Sequence, residues 1–244
     1  PKAFGEYRGE KVFEIERICV GTSTMNYQSY LNCRKYSFIV KLLSNQIFEP
    51  VYILTQKLGL NWYDFSKKFT STIQDKKFQG KFKDIYNGFC KESHEELFDS
   101  KEEAIEFYSK PENYKSLLAG DIGENLIAKY TAKSLFALND ILTVIFYVIR
   151  NNFNKTTNKE LHSILSSSEK WLKNLYLLDV VFADKEIFDK GSKYELKMDF
   201  DFPGWLSKVD SPFKDFNKEA TYKLAYDIKK VQDIRNEIRS VYKC

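Results

Sequence analysis

Alternating apolar and polar side chains open the chain. Over residues 12–20 (VFEIERICV), Phe13, Ile15, Arg17 and Cys19 point one way and Val12, Glu14, Glu16, Ile18 and Val20 the other. A period of two predicts a strand. Gly21 to Thr24 follow as a turn, and Asn26 is placed to cap a helix over 27–47 whose apolar stripe is Tyr27, Leu31, Phe38 and Leu42. Pro50 marks the end of that helix or the next turn, and a second helix over 51–58 closes on Gly59. Asn61 or Asp64 starts a third, and regularly placed aromatics predict an amphipathic helix over 75–90. Ser100 and Glu103 form a capping box for a helix ending near Ser109, before Lys110-Pro111. Pro111 starts a short helix ending at Gly120. Residues 124–151 read as one long helix, apolar around most of its circumference over 135–149. Thr157 caps a helix over 158–188, with Gly191 as its stop. Residues 194–202 alternate as a half-buried strand that Pro203-Gly204 breaks, and 219–242 read as a last amphipathic helix. The fold class expected is mainly α, a multi-helix bundle with a few short strands near the termini. Those two strands would pair with each other or with structure outside the chain.

Composition narrows the class. The chain has 244 residues, 43% hydrophobic and 30% charged, with 10 glycines and 5 prolines. It is neither disordered nor low-complexity, and no Pro/Ser-rich linker divides it, so one domain is favoured. Against 34 acidic residues stand 38 basic ones, a net +4. Arginine, suited to bidentate contacts with bases and phosphates, is scarce among them. The densest lysine stretch, 76–83, interleaves Phe78 and Phe82 with lysines, a pattern able to stack on single strands. Its acidic flanks favour a solvated face, and no nucleic-acid partner is expected. No signal peptide is visible, and residues 135–149 are short for a bilayer and carry Asn139, Asp140 and Thr143. A cytoplasmic chain without a membrane partner is expected. Because it opens on Pro1 rather than Met, a processed or partial chain is expected too.

Candidate chemistry is sparse. Cys19, Cys33, Cys90 and Cys244 form no CxxC pair, and neither His94 nor His162 lies at ligand spacing to them. No metal site is assembled locally, and Cys19 and Cys33 are expected in the interior. Arg34 lies in the middle of the Tyr27–Leu42 stripe, where a guanidinium needs a partner. Glu14 and Glu16, on one strand face, are the obvious candidates. Arg34 then either locks strand to helix or presents a cation to an anionic substrate. Asp140 reads as a site acid or as part of one polar strip with Thr143 and Tyr147. Gly120 and Gly123 could turn backbone N–H groups toward an anion, although Asp121 and Glu124 favour a plain interhelix turn. Arg150-Asn151 and Arg235-Asn236 lack the histidine that would complete a HEPN-type ribonuclease motif.

Three stretches carry a family resemblance: Phe4-Gly5-Glu6-Tyr7, the run 12–22 (VFEIERICVGT), and 27–34 (YQSYLNCR). Together they resemble the C-terminal part of radical S-adenosylmethionine proteins with an N-terminal cobalamin-binding domain. In that family a strand of the type E-x-E-x-I-x-V-x-T follows the catalytic barrel and leads into a helix with a Tyr/Trp-x-x-x-Arg start, which Tyr30 and Arg34 match. Residues 98–103 and 120–125, and the strand ending at Phe202-Pro203-Gly204-Trp205, are similar to the family's helical tail. The resemblance implies that residues 1–26 are a strand and turn continuing from a missing upstream α/β barrel, a remnant of its edge. Residues 27–244 would be a helical C-terminal domain with a late strand at about 194–202. The chain lacks the CxxxCxxC loop of the family, and a cobalamin domain is absent as well. No cofactor is therefore expected in this chain; a 4Fe–4S cluster, S-adenosylmethionine and cobalamin would belong to the parent. The implied partners are the upstream barrel and cobalamin domain of the same parent. The implied task is to cap the barrel and shape the substrate pocket, with Tyr30 and Arg34 structural or substrate-side. The alternatives are a stand-alone helical interaction or scaffold module with a closed core, and a small helical hydrolase or nuclease built from scattered acids and histidines, Asp140 and His162 among them.

Overall fold

The computed structural model describes residues 1–152, 159–175, 193–208 and 211–225. Two strands, β1 (Ala3–Tyr7) and β2 (Glu10–Glu14), pair antiparallel, with Phe4 opposite Phe13 and Tyr7 opposite Glu10. The turn between them places Arg8 (φ 54°) and Gly9 (φ 81°) in the left-handed region, the hand that matches strand twist in a two-residue hairpin. Helices α1 (Tyr27–Leu43), α2 (Glu49–Lys57), α3 (Trp62–Gln74), α4 (Lys81–Glu95), α5 (Lys101–Ser109), α6 (Pro111–Ala119), α7 (Leu126–Leu135), α8 (Leu138–Asn152) and α9 (Lys159–Leu175) follow. Then come β3 (Lys193–Met198), a short α10 (Phe202–Leu206) and β4 (Ala220–Ala225). The mainly helical class is as expected.

Four helix starts are set by side chains the sequence displays. Asn26, Asn61, Ser100 and Asn125 each accept a backbone N–H in the first turn of α1, α3, α5 and α7. Glu103 reaches back as expected, but to the N–H of Asp99 (3.1 Å), one residue before the cap. Gly120 adopts the left-handed conformation that ends α6, a plain C-terminal cap.

Several expectations need correction. The strand over 12–20 is confined to β2, and 15–26 contain no regular element. The terminal strands do not pair with each other; each has a local partner, β1 with β2 and β3 with β4. The helix over 219–242 begins instead as β4, with Ala220 opposite Met198, and 226–242 lie outside the described residues. Thr221 and Tyr222, which favour strands, outweigh the helical period there. Pro203 stands in the first turn of α10, under an Asp201 cap. The caps proposed at Thr157 and Gly191 lie outside the described residues, as does the helix beyond 175.

The long helix over 124–151 is two helices, bent by 90° between α7 and α8. The Ser134 hydroxyl back-bonds to the Tyr130 carbonyl (2.7 Å), and the N–H groups of Phe136 and Ala137 fall back to i−3 carbonyls. Such back-bonding and tightening end a helical ladder. No single described helix is long and apolar enough to cross a membrane; α7 and α8 qualify only when counted together across their bend.

The main core gathers α1 to α4, α7, α8 and α9, and residues of β3 and α10 join it. At its centre the ring of Phe38 stacks on Phe89 with centroids 4.5 Å apart, and Tyr130 meets both edge-on. A second cluster of Ala104, Tyr108, Tyr114 and Leu117 lies under the hairpin, with Phe13, Ile15 and Phe98 against it.

Candidate functional site

A cleft of about 1110 Å³ runs between Pro1 and Lys2, residues 15–20, the first half of α1, the end of α4 and the start of α5. Arg34 lies on its floor. The turns of α1 that bury Leu31 and Phe38 also turn Arg34 inward, and its partner is Glu96, which caps the C-terminus of α4. Nη2 of Arg34 donates to Glu96 Oε1, and Nη1 donates to the Tyr30 hydroxyl at 3.3 Å. Nε is buried without a partner. Burial pushes the Glu96 carboxyl above its usual range, and the Arg34 charge offsets this only in part. Tyr108, buried beside it from α5, is raised by its own burial and further by Glu96. Its hydroxyl has no hydrogen-bond partner among the described residues. His94 completes the floor and meets Tyr27 edge-on at 5.8 Å.

One helical turn before Glu96, Glu92 accepts from the nearly buried Lys129 (2.9 Å) and from the Tyr130 hydroxyl (2.5 Å). Burial works to raise Glu92, but these two donors outweigh it and hold the carboxyl below its ordinary range. Lys129 also donates to the Asp121 carbonyl, tying α4, α7 and the 120–125 connection together. The cleft walls carry both signs of charge, Lys2, Arg17 and Lys101 facing Glu16, Asp99 and Glu102.

Of the five residues singled out from sequence, Arg34 and Tyr30 touch and Glu16 lines the same cleft. Glu14 does not pair with Arg34; it is exposed on β2 and lies 3.8 Å from Lys2. The strand was expected to carry both glutamates past α1, but β2 ends at Glu14, which is why the partnership fails. Asp140 is elsewhere: its Oδ2 accepts the Phe82 N–H at 3.2 Å and so caps α4, whose own N-cap residue is Gly80. His162 is exposed on α9 with no contact to Asp140 among the described residues. Glu96 was missed, yet a signal existed. The buried positions of α4 are Phe82, Tyr86, Phe89 and Ser93, and the next step of that period is Glu96. A charge on one apolar stripe answers the charge on another.

Other candidates resolve structurally. Phe82 is fully buried, Phe78 packs on the core and Lys83 donates to the Ile73 carbonyl, so residues 76–83 offer no stacking platform. Arg150 pairs with Glu169 at 2.5 Å. Cys19 and Cys33 are exposed rather than interior. Among the described residues no three His, Cys, Asp or Glu side chains gather in a way that could hold a metal ion. No family model, curated protein or solved structure matches the chain.

Proposed function

We propose that the chain is the accessory C-terminal region of a radical S-adenosylmethionine enzyme of the cobalamin-binding type, capping its barrel and shaping its substrate pocket. One observation carries the reading beyond the sequence resemblance. Among the described residues, five of the eleven exposed large hydrophobic side chains, Phe4, Tyr7, Val12, Ile18 and Tyr27, fall within the first 27 residues. Two of them, Ile18 and Tyr27, line the cleft that holds Arg34 and Glu96, and the other three lie on the neighbouring hairpin. Apolar side chains concentrated beside a cleft mark a surface made for contact. The upstream barrel is its occupant in this reading, with Arg34 and Tyr30 on the substrate side. Radical generation belongs to the parent's cluster, S-adenosylmethionine and cobalamin, and no step of it is assigned to these residues.

The coding sequence upstream of Pro1 tests the proposal directly. An in-frame CxxxCxxC motif supports it. A stop codon there overturns it and leaves the second reading, a stand-alone helical scaffold module, which the closed main core favours. A parent protein lacking residues 1–27 should bind its cluster yet fail to protect its substrate pocket from solvent, as read by hydrogen exchange.

A further inference from the structure

We infer that residues 1–14 and 98–119 form a lid that moves as one unit on the helical bundle, opening and closing the cleft. The two parts of the lid, far apart in sequence, are bound to each other. The ring of Phe13 lies 6.0 Å from both Tyr108 and Tyr114. Lys11 Nζ donates to the Ser109 carbonyl at 2.6 Å and sits over the Tyr114 ring at 4.7 Å. Ala104, Tyr108, Tyr114 and Leu117 give the unit a core of its own.

Toward the bundle the situation is reversed. The lid core and the main core share no residue. Among the described residues, no strand or helix of the lid packs extensively on α1–α4 or α7–α9; what crosses is electrostatic, the Pro1 amino group and Tyr108 both facing Glu96. Three connections cross the seam, 15–26, 96–97 and 120–125. The third carries two positive-φ glycines, Gly120 and Gly123. Units joined without a sizeable apolar interface move relative to one another, and short loop segments absorb the change.

The cleft lies along this seam, with Phe98, Ala104 and Tyr108 on the lid side and Tyr27, Arg34 and His94 on the bundle side. Opening rehydrates Glu96 and Tyr108 and exposes the Arg34 floor; closing desolvates them. The inference concerns the chain's own motion and holds whether or not the radical-enzyme reading is correct.

Residual dipolar couplings of the unmodified, weakly aligned chain test it. Amides of β1, β2, α5 and α6 should fit one order tensor, and those of α1, α3, α4, α7 and α8 another of larger magnitude. A single tensor fitting all of them overturns the inference, because the lid would then be rigidly fixed. Separate tensors for the hairpin and for α5–α6 overturn it as well, because the lid would not be one unit.

Discussion

Asp140 offers a quantitative test of how α4 is held in place. Gly80 precedes that helix with no side chain to satisfy its first N–H groups, and Asp140 reaches across from α8 to accept the Phe82 N–H at 3.2 Å. Loss of a capping acceptor costs about 1 kcal/mol, and a carboxylate beside a helix N-terminus adds about 0.3–1 kcal/mol. Asp140→Ala should therefore destabilise the chain by about 1–2 kcal/mol, and Asp140→Asn by about half of that. Gly80 has φ 134°, and a Cβ there would lie 2.8 Å from Asp140 Oδ2. Gly80→Ala should cost about 1–3 kcal/mol in backbone strain and also push the cap aside. Once Asp140 is alanine there is no cap left to displace. The double variant should then be more stable than the sum of the singles by about 1 kcal/mol. Urea unfolding followed by far-ultraviolet circular dichroism, with an unchanged denaturant slope, measures all three. Strict additivity would show that a Cβ at position 80 never meets the cap. A stability gain in Asp140→Ala would refute capping altogether and return Asp140 to the status of a strained site acid.

Arg34→Met should raise the Glu96 carboxyl still further above its usual range, read by carbon-13 NMR titration; an unchanged titration would mean that the pair is not formed. Glu92 is held below its ordinary value of 4.5, so the stability it contributes is present above that value and is lost as pH falls through the lowered one. Glu92→Gln should flatten the acid limb of the melting temperature measured from pH 6 downward, and an unaltered limb would contradict the assignment. Gly88 lies where α4 meets α7, and a Cβ there would stand 2.9 Å from the Tyr130 hydroxyl. Gly88→Ala should therefore destabilise by about 1–3 kcal/mol even though alanine favours a helix by about 1 kcal/mol. Stabilisation on urea unfolding would show that the close approach is not real.

What could be read in the sequence was local. Asn26, Ser100 and Gly120 act on neighbours within four residues, and each marks its helix end as expected. The alternation of Leu196, Met198 and Phe200 survives as buried positions even though β3 ends at Met198. What escaped was pairwise and distant. Arg34 announced the need for a counter-charge, but its partner lies 62 residues away and belongs to another helix. The 90° bend after α7 escaped because the apolar run over 135–149 continues through the turn, so the pattern carries no phase change where the axis turns. Asp140 sits on a polar strip, as expected, but its role depends on Gly80 arriving from elsewhere in the chain. The hairpin was half-seen because Arg8-Gly9 is a weaker turn signal than Asn-Gly.

The hairpin is made well before its support. β2 ends at Glu14, while Tyr108 and Tyr114, the rings against which Phe13 packs, follow about a hundred residues later. At roughly 5–20 residues per second, the ribosome leaves an interval of roughly 5–20 s in which Phe4 and Phe13 have no aromatic partners. A two-stranded hairpin alone is marginal in water. The hairpin must therefore wait, while α1 to α4 are made, for the helices that will hold it.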